Sequence, residues 1–152
     1  MTRRCDRCEM AARGKDNPDV LVDTSVAIAV VVMDHEHHAS TFEALADRRL
    51  GLAGHAAFES FSVLTRLPPP ARRTPPTVAR LLAATFPQSR FLSSRGAAAL
   101  LVRLESLGIA GGSIYDALVG AAASEHRITL ATRDLRALST YRALEVEVEL
   151  LP

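Results

Sequence analysis

The 152-residue sequence predicts an α/β fold, a sandwich of helices around a mainly parallel sheet of about five strands. Two observations carry that reading. Short apolar runs alternate along the chain with segments of helical spacing, and the first such run, Val20-Leu21-Val22, passes directly into the polar group Asp23-Thr24-Ser25. A brief, wholly apolar run is what a parallel strand buried on both faces shows. The length also suffices for one core: a chain of this size buries roughly 68–70% of its unfolded surface, so neither disulfide nor structural metal is required. No internal repeat is present.

Taken in order, residues 1–19 show no apolar periodicity and mix charges of both signs with Gly14, Asn17 and Pro18, as expected of a flexible N-terminal extension preceding a folded domain at 20–152. After the Val20 strand a helix is expected over Val26 to Met33. A second follows from His38 to Arg48, with Phe42, Leu45 and Ala46 on one face. Leu50 to Gly54 reads as a strand despite its glycines, and His55 to Leu67 as a helix that proline ends. Pro68-Pro69-Pro70 make an extended surface loop, and Pro76 suits the first turn of a helix reaching Thr85. Arg90 to Leu92 is the third expected strand. A helix from Ser94 to Leu107 has Ser93 or Ser94 as N-cap and Gly108 as its stop. Gly111-Gly112 precede a helix from Ser113 to His126. Ile128 to Ala131 is then a strand, and Leu135 to Tyr141 a helix opened by Thr132-Arg133-Asp134. At the C-terminal end Val146, Val148 and Leu150 alternate with glutamates, the pattern of an edge strand.

Composition narrows the function. Eighteen basic against 17 acidic residues exclude a polybasic nucleic-acid coat or an acidic tail protein. Lys15 is the single lysine, and it precedes the first strand. P-loop, pyridoxal, Schiff-base, kinase and phosphoaspartate-receiver chemistries all place a lysine inside the fold, so none is available here. The longest apolar run, around Val26 to Met33, falls short of the ~20 residues of a membrane span, and no leader pattern is seen. A cytoplasmic, membrane-free protein is expected.

In open α/β sheets ligands bind beyond the carboxyl ends of the strands. Asp23 follows the first strand, Glu59 lies early in the helix after the second, Asp134 follows the Ile128 strand, and Asp116 sits in the first turn of an otherwise small and apolar helix. Taken singly, each has an ordinary use. Asp116 and Asp134 complement a helix dipole, Asp23 is an N-cap, and Glu59 is a solvated helix residue. Together they gather four acids at one sheet edge, where mutual repulsion calls for a cation. Carboxylate oxygens suit Mg²⁺ or Mn²⁺, which commonly act on phosphates. Thr24, Ser25 and Thr132 stand beside two of these acids, either orienting them or capping helices.

The segments Val20-Leu21-Val22-Asp23-Thr24-Ser25, Ala57-Phe58-Glu59-Ser60, Gly112-Ser113-Ile114-Tyr115-Asp116-Ala117-Leu118-Val119-Gly120-Ala121-Ala122 and Leu130-Ala131-Thr132-Arg133-Asp134 together resemble the four acidic motifs of PIN-domain ribonucleases. VapC-type toxins of VapBC toxin–antitoxin pairs are the most similar. The resemblance covers about residues 20 to 152. It implies a PIN-like three-layer sandwich, a homodimer, and Mg²⁺ or Mn²⁺ held by Asp23, Glu59, Asp116 and Asp134. It further implies endonucleolytic RNA cleavage leaving 5′-phosphate and 3′-hydroxyl ends, and a cognate VapB-type antitoxin whose C-terminal segment occupies the groove. Structured RNA such as tRNA or rRNA is the expected target, and inhibition of translation the expected outcome.

Family members usually begin close to the first strand, so the 19 residues before it are a departure. Cys5 and Cys8 lie in that segment. A Cys-x-x-Cys pair is half of a zinc site, but His35, His37 and His38 are too far downstream for a finger spacing. Between Glu59 and Glu105 no acid occurs, whereas Arg66, Arg72, Arg73, Arg80, Arg90, Arg95 and Arg103 all do. Arg66, Arg72, Arg73, Arg95 and, beside the fourth acid, Arg133 are the expected contacts to RNA phosphates, since the guanidinium fork suits them. A solvated helix face is the plain alternative for any one of them. With no tryptophan and few aromatics beyond Tyr115 and Tyr141, reading of RNA shape is expected over base stacking. Two other functions fit part of the pattern: a metal-dependent DNA nuclease of the flap type, and a non-catalytic PIN-like binding module.

Overall fold

The computed structural model describes residues 17–152; Cys5, Cys8 and Lys15 lie outside them. In chain order the elements are β1 (Val20–Val22), α1 (Thr24–Val31), α2 (His38–Leu45), β2 (Leu50–Leu52), α3 (Ala56–Arg66), α4 (Pro75–Thr85), α5 (Ser94–Leu107), α6 (Ser113–His126), β3 (Leu130–Thr132), α7 (Leu138–Ala143) and β4 (Val148–Leu150). The sheet runs β2-β1-β3-β4, and each neighbouring pair is parallel. From β1 the chain moves to β2 on one side and later returns to place β3 on the other. The seam between β1 and β3 is therefore a topological switch point, where the loops after the strands part and leave a crevice.

The three residues of β1 are fully buried, and the pleat sends them alternately to two layers. Val20 and Val22 pack with Val26, Leu45, Leu64, Val78 and Phe86 from α1 to α4 and the loop that follows. Leu21 packs with Val119, Ala123, Leu130 and Tyr141 beneath α6 and α7. Burying each such side chain stabilises the fold by about 1.5–3 kcal/mol. Helix α5 lies further out, its Leu100 and Leu104 packing with Ala117 of α6 and with Leu144, which follows α7.

Helix ends follow their local chemistry. Ser93 caps α5 by accepting from the Gly96 amide, and Gly108 ends it in the left-handed region at φ 66°. Pro75 and Pro76 occupy the first turn of α4, where a missing N–H costs nothing. Gly51 has a steric reason for being glycine. A Cβ there would lie 2.1 Å from the Gln88 carbonyl oxygen, because the 88–90 segment runs directly against β2.

The sheet has four strands among the described residues rather than about five. Arg90, expected in a strand, makes only a single parallel bridge with Ala53. Its guanidinium turns back onto the Gln88 and Ser89 carbonyls, and Ser93 opens α5 three residues later, which leaves no length for a ladder. Helix α7 begins at Leu138 rather than Leu135, since Asp134 instead holds a turn by accepting from the Arg136 amide at 2.9 Å. On α2, Leu45 is buried but Phe42 and Ala46 are exposed, and the polar Thr41 takes the inward position. On β4, Leu150 is 48% exposed, and Glu149 is bound by Arg48 Nη1 at 2.7 Å. Asp19, assigned to the extension by its sequence, is tied to Arg49 by a 3.0 Å ion pair. Among the described residues no helix is long and apolar enough to cross a membrane.

Candidate active site

Beyond the carboxyl ends of β1 and β3 a cleft of about 210 Å³ is lined by Asp23, Thr24, Ser25, Glu59, Asp116, Val119, Asp134, Arg136 and Tyr141. Each acid is delivered by a different element. Asp23 is the N-cap of α1, fixed by the register that pairs Val22 with Ala131. Glu59 and Asp116 stand in the first turns of α3 and α6, and Asp134 follows β3.

Asp23 is 4% exposed and the most constrained of the four. Its Oδ1 accepts from Ser25 Oγ at 2.6 Å and from the Val26 amide at 3.2 Å. Its Oδ2 accepts from Thr132 Oγ1 and from the Tyr141 hydroxyl, the latter at 3.1 Å. Burial pushes its carboxyl above the usual carboxylate range, and these donors oppose that push. The hydroxyls also knit the two strand ends together. Ser25 Oγ accepts from the Arg133 amide at 2.9 Å, and Thr132 Oγ1 accepts from the Asp134 amide at 3.1 Å. Thr24 Oγ1 donates to Glu59 Oε2 at 2.6 Å.

Asp116 is half-buried and, among the described residues, accepts no hydrogen bond. Burial raises its pKa first, followed by repulsion from Asp134, Asp23 and Glu59. Asp134 is shifted the other way, chiefly by its hydrogen bonds from Arg136. Its own burial first, and then the charges of Asp23 and Asp116, push the Tyr141 hydroxyl far above the usual phenol range.

Whether this cleft suits a divalent ion is decided by its donors. They are carboxylate and hydroxyl oxygens with no thiolate or imidazole, a hard set suited to Mg²⁺ or Mn²⁺. The mutual repulsion recorded at Asp116 is what such an ion relieves. Among the described residues no three acids, histidines or cysteines stand close enough together to hold an ion by themselves. Mg²⁺ does not demand that, because it commonly keeps several waters and takes one or two carboxylates.

Two cleft residues escape sequence reasoning. Arg136 lies two positions after Asp134, and its only signal is that spacing. Tyr141 stands between Thr140 and Arg142, and nothing local distinguishes it. Composition leaves it, with Tyr115, among the few aromatics that could stack on a base, but at 1% exposure it offers no face to one. Tyr115 is 56% exposed and stacks on His55 at 5.1 Å.

Arg72 Nε donates to the Leu67 carbonyl, and Arg73 Nη1 to those of Pro70 and Ala71, so both brace the proline loop. Arg133 is half-buried with Nη1 on Thr41 Oγ1 at 3.3 Å. Arg66 on α3 and Arg95 on α5 are exposed.

Comparison with known proteins places this geometry. The model of the PIN domain family matches residues 20–143. The chain is 48% identical over 131 residues to Ribonuclease VapC27 of Mycobacterium tuberculosis, spanning 86% of this chain and 96% of the relative. It is 46% identical over 134 residues to Ribonuclease VapC40 of the same organism, spanning 85% and 96%. Among solved structures, Mycobacterium tuberculosis VapC20, described as a Sarcin-Ricin loop cleaving toxin, superposes with a TM-score of 0.66 at 18% identity, over 88% of this chain and 99% of that one. VapBC2 of Rickettsia felis, bound to a DNA fragment from its promoter, superposes with a TM-score of 0.64 at 14% identity, over 88% and 98%. The four-acid cleft thus sits on a shared fold and a closely related sequence, and the chain belongs to the PIN domain family, in its VapC branch.

Proposed function

We propose that this protein is a Mg²⁺- or Mn²⁺-dependent endoribonuclease, the toxin of a type II toxin–antitoxin pair, that cleaves structured RNA such as tRNA or rRNA and thereby inhibits translation. The observation that carries the reading is the convergence of Asp23, Glu59, Asp116 and Asp134 on one cleft at the β1–β3 switch point, with the Asp116 pKa raised first by burial and then by the other three. The ribonuclease names of relatives 46–48% identical over most of the chain support it, as does the recurrence of VapBC complexes among the structural neighbours.

In this reading Asp23, Asp116, Asp134 and Glu59 hold the ion. The chemistry that a bound divalent ion supplies is activation of a water and neutralisation of charge on the leaving oxygen. The protein contributes placement. Ser25, Thr132 and the Val26 amide fix the Asp23 carboxylate, and Thr24 fixes Glu59. Arg66, Arg72, Arg73, Arg95 and Arg133 contribute sequence-independent phosphate contacts. A VapB-type antitoxin and a homodimer complete the assembly; Leu101 and Val102, 73% and 79% exposed on α5, supply an apolar face for such contacts.

The test is incubation of purified protein with structured RNAs and a DNA flap in Mn²⁺, with and without EDTA, beside Asp116→Asn. RNA cleavage that requires both the ion and Asp116 is expected. Cleavage surviving in EDTA or in the variant would overturn the mechanism, and cleavage of the flap alone would reassign the substrate.

A further inference from the structure

At the buried end of the cleft, Tyr141 is engaged in a way that packing does not require. Its ring is part of the layer formed by Leu21, Val119, Ala123 and Leu130, and a phenylalanine would fill that volume. A buried hydroxyl is unfavourable unless it is bonded. Here it is bonded to a single partner among the described residues, Asp23 Oδ2, at 3.1 Å.

The ring also has a matching clearance in the opposite helix. A Cβ on Gly120 would lie 3.0 Å from Tyr141 Cδ1 and 3.1 Å from Val146 Cγ2, tighter than ordinary contact. Gly120 follows Asp116 by four residues, so the two share a face of α6. One face of α6 therefore contributes an acid to the cleft and, a turn later, the room that lets Tyr141 reach a second acid.

The geometry points to Tyr141 as a positioning residue for the Asp23 carboxylate, with Gly120 reserving the space its ring occupies. This rests on the reading of Asp23 as a metal-holding acid. The donors to Asp23 come from three places: the first turn of α1, the end of β3, and α7. Tyr141 is the donor that links α7 to the site. Without its hydroxyl, Oδ2 keeps only Thr132, and the carboxylate gains freedom to rotate about its side-chain bonds.

Partners of this kind typically cost about 10- to 100-fold in metal affinity or activity when removed. Tyr141→Phe is therefore expected to weaken Mn²⁺ binding, measured by calorimetry, by about 10- to 100-fold, while the thermal transition stays cooperative and the KM for RNA is unchanged. At fixed low Mn²⁺ kcat falls, and raising Mn²⁺ restores it. Gly120→Ala is expected to weaken Mn²⁺ binding in the same direction, and to add nothing to that loss in the Tyr141→Phe background, because its effect passes through the hydroxyl. A folded Tyr141→Phe protein that binds Mn²⁺ as well as wild type, or more tightly, would overturn the assignment, as would additive losses in the double variant. If wild type takes up no Mn²⁺, the metal reading itself falls and this role with it.

Discussion

Arg136 holds the Asp134 carboxylate in a two-pronged pair, Nε to Oδ1 and Nη2 to Oδ2, both at 3.1 Å. The arginine is exposed while the acid faces the cleft, so the site carries its own cation against one of its four acids. A divalent ion drawing on Asp134 must compete with that guanidinium and with its charge. Arg136→Ala is expected to tighten Mn²⁺ binding by roughly 2- to 5-fold, the size an exposed ion pair supports, with little change in thermal midpoint. Weaker binding in calorimetry would assign Arg136 a supporting rather than a competing role.

Asp116 is expected to limit the stability of the metal-free protein. Its pKa is raised in the folded state, so between the ordinary carboxylate value and the raised one the native protein holds a proton that the unfolded chain has released. Stability from this group falls as pH rises from the ordinary carboxylate value through the raised one, and stays low above it. Asp116→Asn should raise the thermal midpoint at pH 7 by roughly 2 °C, a small gain because half the side chain is wet, and lose that gain at acid pH. Melting curves without metal at both pH values check this, and the same variant should be inactive.

Asp23→Asn carries a cost that Asp116→Asn does not. Four donors converge on this buried carboxylate, and an amide would face some of them with N–H groups of its own. Mispaired buried donors cost about 1–3 kcal/mol, so denaturant unfolding should show a clear loss at pH 7. Burial raises the pKa of Asp23 as it does that of Asp116, so removing the charge returns part of this loss.

Gly51→Ala tests a contact away from the chemistry. With a Cβ 2.1 Å from a backbone oxygen, either β2 or the 88–90 segment must move. Overpacking of this kind costs about 1–3 kcal/mol, and because neither neighbour is a flexible side chain the upper end is expected by denaturant unfolding.

Legibility in the sequence followed the range of the forces involved. Helices α5 and α6 could be bounded by residues within a turn of their ends, Ser93 and Gly108 for one and the Gly111-Gly112 hinge for the other. Strand β1 was legible because burial on both faces leaves no polar residue until Asp23. The Arg90 segment was not, because its fate depends on Gly51, almost forty residues earlier, and on hydrogen bonds to β2. The four acids stood out through their place after strands and in first turns. Tyr141 lies 118 residues from Asp23, and nothing local to either predicts their bond. The arginine-rich stretch shows another limit: a run of charge does not say which guanidinium nitrogens the backbone will engage, as at Arg72 and Arg73.

The proline loop between α3 and α4 divides the chain in a way its length conceals. Asp23 and Glu59 lie before it, together with β1 and β2; Asp116 and Asp134 lie after it, together with β3 and β4. A break in that exposed loop would give two fragments, each with half of the acids and half of the sheet, whose strands rejoin along the β1–β3 pairing. Neither half could assemble the cleft alone. Co-expressed fragments would make nuclease activity a direct reporter of reassembly, a complementation system inherent in the order of the strands.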